Sequence, residues 1–125
     1  MSEHPNIFPA LRYRDANAAL EWLQRAFGFA EKAVYRGDDG TVHHAELQLG
    51  AGMVMLGEQP EAAPSDAQTI YVVVDDPDAH HQRAAAAGAQ IVRPLEDMDY
   101  GSREYSARDP EGHVWSFGTY DPFGS

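Results

Sequence analysis

"REYSARDPEGHVWSF" (residues 103–117) decides how this chain is read. It has the form of a strand, a tight turn and a second strand. Asp109 opens the turn, Pro110 fixes its φ and Gly112 permits the exit. In the second strand Trp115 and Phe117 alternate with Ser116, so the aromatics share one face and the serine takes the other. An earlier stretch, "HHAELQLGAGMVML" (43–56), lies over this hairpin with one residue fewer in its turn.

The likeness extends upstream of both hairpins. "NIFPALRYR" (6–14) predicts a strand. Asp15 is a suitable N-cap for a helix that carries Ala19, Leu20, Leu23 and Phe27 at helical spacing, and Gly28 stops it. "FAEKAVYR" alternates as a strand, "GDDG" (37–40) is a hairpin turn, and "AG" (51–52) turns the chain into "MVMLGE". In the second half "TIYVVVDD" is a β-branched strand, and Asp76–Pro77 opens a helix that ends at Gly88. "AQIVRPLEDM" is extended, and Pro94 makes it an edge strand or a bulged one. Between the halves "QPEAAPSDAQ" (59–68) has two prolines and no periodicity, as a linker does.

The order is β-α-β-β-β, linker, β-α-β-β-β. One four-stranded sheet with one helix covers a single sheet face, so two such modules need one another. The expected fold class is α+β: two βαβββ modules in tandem in a single domain, the first about 6–58, the linker about 59–68, the second about 69–120.

Bulk properties limit the function. The 125 residues suffice for one compact domain. The formal charge is −11, from 9 basic and 20 acidic side chains, which repels phosphate backbones and argues against nucleic acid and anionic membranes. There is no cysteine, hence no disulfide, thiolate zinc site or cysteine nucleophile. No apolar run approaches the ~20 residues of a membrane span, and "MSEHPN" lacks the regions of a signal peptide. A cytoplasmic location is the expectation. No phosphate loop, dinucleotide fingerprint or nucleophile triad is present.

"LRYRDANAALEWLQRAFGF", "VVVDDPDAHHQRAAAAGA" and "REYSARDPEGHVWSF" together resemble the vicinal oxygen chelate superfamily, which includes glyoxalase I, extradiol dioxygenases, fosfomycin-resistance enzymes and bleomycin-resistance proteins. The likeness covers nearly the whole chain and occurs twice. It implies an open, barrel-like mixed sheet around a cavity with helices outside, and a homodimer with cavities near its interface. In metal-dependent members His, Gln and Glu ligands leave coordination positions open for a substrate's adjacent oxygens. Carried over residue by residue, those positions fall on Phe8, Leu56, Thr69 and Ser116. None is a strong ligand. His4, Glu58 and His113 lie nearby, but a one-residue slip points a strand side chain to the wrong face. The resemblance therefore implies a protein without a metal cofactor, a divalent ion being the alternative.

Periodicity then assigns the cavity face. Arg12 comes from the first strand, His44, Glu46 and Gln48 from the third, and Thr69, Tyr71 and Val73 from the strand after the linker. The last hairpin adds Glu104, Ser106, Arg108, Val114 and Ser116, while Tyr105, Ala107, Trp115 and Phe117 face a helix. Arg12 and Arg108 suit an anionic or carbonyl group. His44 with Glu46 is the candidate acid–base pair, since residues i and i+2 share a face. The alternative is that these charges pair across the sheet. His80 and His81 fall in a helical stretch read as solvated. "EDMDYGSR" (96–103), with Met98 and Tyr100 beside Gly101, is a candidate rim.

The expected ligand-binding set is thus Arg12, His44, Gln48, Tyr71, Met98, Tyr100, Glu104, Arg108 and Ser116, around a small, partly aromatic molecule. The leading expectation is a metal-free binding protein. The alternatives are a metal-dependent lyase, isomerase or dioxygenase, and a metal-free enzyme using His44 and Glu46.

Overall fold

The computed structural model describes residues 5–124. The chain divides between Ala63 and Pro64 into two compact units. Each holds four strands and one helix.

In the first unit β1 (Ala10–Tyr13), α1 (Ala16–Phe27), β2 (Ala30–Arg36), β3 (Val42–Leu49) and β4 (Gly52–Glu58) follow in order. The sheet runs β1-β4-β3-β2, with β1 parallel to β4 and the other pairs antiparallel. Helix α1 starts where the Asp15 side chain accepts from the Ala18 N–H at 3.1 Å. It ends at Gly28, whose φ of 88° is left-handed and suits glycine. Ala16, Ala19, Leu20, Trp22, Leu23, Ala26 and Phe27 are buried along it. The sheet's buried side is Val42, Ala45, Leu47, Val54 and Leu56. Full burial of each large aliphatic or aromatic side chain here contributes ~1.5–3 kcal/mol.

The second unit repeats the plan with β5 (Ile70–Val73), α2 (Pro77–Ala86), β6 (Gln90–Asp97), β7 (Arg103–Arg108) and β8 (Val114–Gly118) in a sheet ordered β5-β8-β7-β6. Asp76 caps α2 by accepting from the Ala79 N–H at 3.1 Å, and Pro77 stands in the first turn. Tyr105, Ala107, Trp115 and Phe117 are fully buried, as the alternation predicts. The "DPEG" turn is tied to this core. Buried Asp109 accepts from the Glu111 and His113 N–H groups at 3.1 and 3.0 Å and from Trp115 Nε1 at 3.1 Å.

Several expectations need correction. The first strand is not 6–14 but Ala10–Tyr13; Pro5 and Pro9 have no N–H to offer a ladder. The second turn is centred on Gly50–Ala51, because Gly50 takes the positive φ (58°) that a first central turn position of this kind needs. His80 is not solvated. It is half-buried, its Nδ1 is hydrogen-bonded to the Tyr105 hydroxyl, and its ring lies 4.3 Å from that of Phe117. Helix α2 is short of large apolar side chains, burying only Pro77 and Ala84, so imidazole rings do the packing that leucine does elsewhere. Leu56 faces the helix side, because it pairs with buried Ala45. Its neighbour Met55, opposite Glu46, takes the open face. Strand β6 is both an edge and bulged, with register shifts between Ile91 and Arg93 and between Arg93 and Glu96.

Candidate functional site

The open face of the second sheet carries a connected set of polar side chains. Glu104 on β7 stands opposite Gly118 on β8, and Ser106 stands opposite Ser116. Tyr71 on β5 is the register partner of Ser116. Arg93, turned to this face by the bulge in β6, is the hub. Its Nη2 donates to Glu104 Oε1 at 3.2 Å and its Nε to Ser106 Oγ at 3.2 Å. The Ser106 and Ser116 hydroxyls are 2.8 Å apart, and Ser116 is 3.4 Å from the Thr69 hydroxyl. Tyr100 reaches back from the β6–β7 turn to donate to Glu104 Oε2 at 2.8 Å.

Glu104 is only 5% exposed, yet both oxygens are engaged. Burial alone raises its pKa. Hydrogen bonds from Tyr100, Ser102 and Arg93, with the Arg93 charge, outweigh burial and hold the carboxyl below its usual value. It is an ionised acceptor near neutral pH, and a weak base. The same hydrogen bond to Glu104 raises the pKa of Tyr100. Tyr71 is raised first by burial, and its hydroxyl donates to the Tyr120 carbonyl at 2.7 Å. The Tyr100 and Tyr120 rings meet edge to face, centroids 5.8 Å apart at 82°, and both are largely exposed. Met98 begins the turn that presents Tyr100, its N–H donating to the Ser102 carbonyl at 2.7 Å. Of the predicted set, Tyr71, Met98, Tyr100, Glu104 and Ser116 therefore share one neighbourhood. Arg108 is in the same unit but pairs elsewhere, with Asp66 at 2.9 Å and the Gly112 carbonyl at 3.1 Å.

The remaining predicted residues are on the first unit. His44 Nε2 lies 2.9 Å from Glu46 Oε2, and the Tyr35 ring stacks on His44 with centroids 5.9 Å apart. The partner of Glu46 on this face is therefore His44. Gln48 donates to the Gly50 carbonyl at 3.3 Å, holding the hairpin end. Arg12 lies along Gly57, where a Cβ would come 3.4 Å from its Nη1.

Arg93, Ser102 and Tyr120 escaped the sequence reading. Strict alternation puts Ile91, Arg93 and Leu95 on one face, and the bulge moves Arg93 off it. Pro94 was the available signal.

Residues 7–117 match the family described as the Glyoxalase/Bleomycin resistance protein/Dioxygenase superfamily. The chain belongs to this superfamily. An uncharacterized protein of Mycobacterium tuberculosis is 35% identical, over 91% of this chain and 74% of that protein. Among solved structures, TioX from Micromonospora sp. ML1 is 37% identical with a TM-score of 0.77, over 94% of this chain and 98% of that one. The fosfomycin resistance protein FosX from Mesorhizobium loti has a TM-score of 0.72 at 18% identity, covering 98% and 97% of the two chains, and shows the fold alone.

The glyoxalase-type fold implies positions for a metal, and the donors of this chain do not fit one. Ser116 and Thr69 are hydroxyls bonded to each other, to Ser106 and to the Val114 carbonyl. At the equivalent place on β4 the open face carries the Met55 thioether, and Phe8 offers no donor. Hydroxyl and thioether groups suit opposite kinds of cation, and neither holds a divalent transition metal well. Among the described residues no three His, Cys, Asp or Glu side chains come together. His4 lies outside the described residues.

Proposed function

We propose that this superfamily member binds a small organic molecule, without a metal, on the open face of its second unit. The observation that carries the reading is the hydroxyl group of Ser116, joined to Ser106 at 2.8 Å, at a position where the superfamily resemblance implies a metal ligand. The edge-to-face pair of Tyr100 and Tyr120 supplies exposed ring surface for a planar part of the ligand. The charged groups of this face, Arg93 and Glu104, are already paired, so no buried charge is left behind when a ligand departs. A homodimer belongs to the same reading, since each unit covers only one sheet face with its helix; sedimentation measures it.

The test is NMR titration of chelator-treated protein with a panel of small aromatic compounds. Amide shifts confined to residues 98–106 and 114–120, with equal affinity after addition of Zn, Ni, Mn or Fe, support the reading. Binding that needs added metal, or shifts confined to the first unit, contradicts it.

One observation favours a second reading. The His44–Glu46 contact, with Tyr35 stacked on the imidazole, is an arrangement for moving a proton. A variant with His44→Ala that loses turnover of a bound compound but keeps its affinity identifies this dyad as the acid–base group. Unchanged turnover excludes it.

A further inference from the structure

The two ends of the hydrogen-bond chain around Ser116 have fixed directions, and they let the hydroxyls between them be assigned. Arg93 carries only donors, so its Nε–H donates to Ser106 Oγ at 3.2 Å. Ser106 is 5% exposed, and with a lone pair taken by Arg93 we assign its own hydrogen to Ser116 Oγ, 2.8 Å away. At the other end the Thr69 hydroxyl donates to the Val114 carbonyl at 3.1 Å. In this assignment Ser116 accepts from Ser106 and keeps its own hydrogen. Within the chain that hydrogen meets Thr69 Oγ1 at a long 3.4 Å. A chain that begins at a guanidinium polarises each hydroxyl in turn, which makes the last one the strongest donor.

We propose that Ser116 is the specificity-determining donor of this face and that it takes a neutral carbonyl oxygen of the ligand. The inference rests on the binding reading above and adds the group recognised. The charge of Arg93 is balanced by Glu104 at 3.2 Å, and the chain carries a formal −11, so a formal anion gains nothing here. A cation gains from the overall field, but it reaches only the second lone pair of Ser116 and leaves that hydroxyl's hydrogen unused. A carbonyl beside Ser116 has Tyr71 as its strand neighbour.

The experiment uses two probes with one skeleton, acetophenone and 1-phenylethylammonium, titrated into the full chain and followed by amide shifts. The expected result is that acetophenone binds about fivefold to tenfold more tightly, the ratio that one added hydrogen bond supports. Its shifts centre on residues 104–106 and 114–118. Ser116→Ala removes the preference, and Ser106→Ala, which cuts the chain one step earlier, reduces it. If both probes bind on this face and the ammonium binds as well as the ketone, the inference is overturned and the binding reading stands. A ketone preference that survives Ser116→Ala also overturns it. Shifts from neither probe on this face count against both readings.

Discussion

Gly118 leaves the space that Glu104 fills. A Cβ at Gly118 would lie 2.5 Å from Cγ of Glu104 and 2.7 Å from the Tyr71 hydroxyl. Both atoms belong to side chains that are tied down, Glu104 by Arg93 and Tyr100 and Tyr71 by the Tyr120 carbonyl. The absence of a side chain on one strand thus sets the position of a buried carboxylate on the next.

Gly118→Ala therefore has to move Glu104 or Tyr71, and the expected cost is about 1–3 kcal/mol by chemical denaturation. Gly57→Ala is the comparison. Its Cβ meets the His43 carbonyl at 3.3 Å and the flexible end of Arg12 at 3.4 Å, so a smaller loss is expected. Equal losses would count against the packing account of Gly118.

The buried Asp109 makes a second prediction. Asp109→Ala leaves two backbone N–H groups and the Trp115 indole N–H without their acceptor, and the expected loss is about 2–3 kcal/mol. Trp115→Phe in the Asp109→Ala background then costs less than Trp115→Phe alone. A double-mutant cycle with no coupling contradicts the role given to this bond.

How much of this was legible from sequence follows from where alternation holds. Trp115, Phe117, Tyr105 and Ala107 were placed correctly, because β7 and β8 pair without a register shift. Both helix starts were readable from Asp15 and Asp76, whose carboxylates do what an N-cap does. Arg93 was not readable, because a bulge changes the face of every residue beyond it. Leu56 was misplaced by one position, and one position is a whole face in a strand. His80 was misread because its helix has few apolar residues, and composition does not reveal that an imidazole can bond a tyrosine beneath it.

Acid tests the Glu104 network. Its pKa in the folded protein is lowered from 4.5, so ionised Glu104 contributes stability that is full above that value. The contribution falls as pH drops below about 4.5 and through the folded-state pKa. Glu104→Gln is expected to lower stability at neutral pH and to flatten the dependence in that window. A variant with the same acid limb as the parent shows that other carboxylates carry it.

The His80–Tyr105 bond is expected to hold α2 on its sheet. Tyr105→Phe removes the hydroxyl and keeps the buried ring, and the expected loss is about 1 kcal/mol. Hydrogen exchange of the α2 amides checks it: they speed up in the variant while those of α1 do not.

The central proposal is that a small molecule binds the open face of the second unit without a metal. Elemental analysis of the purified protein, paired with a binding titration before and after chelation, tests it most directly. The account predicts no stoichiometric Ni, Zn, Mn or Fe and an affinity that chelation leaves unchanged. One metal ion per chain, lost on chelation together with ligand binding, would contradict it.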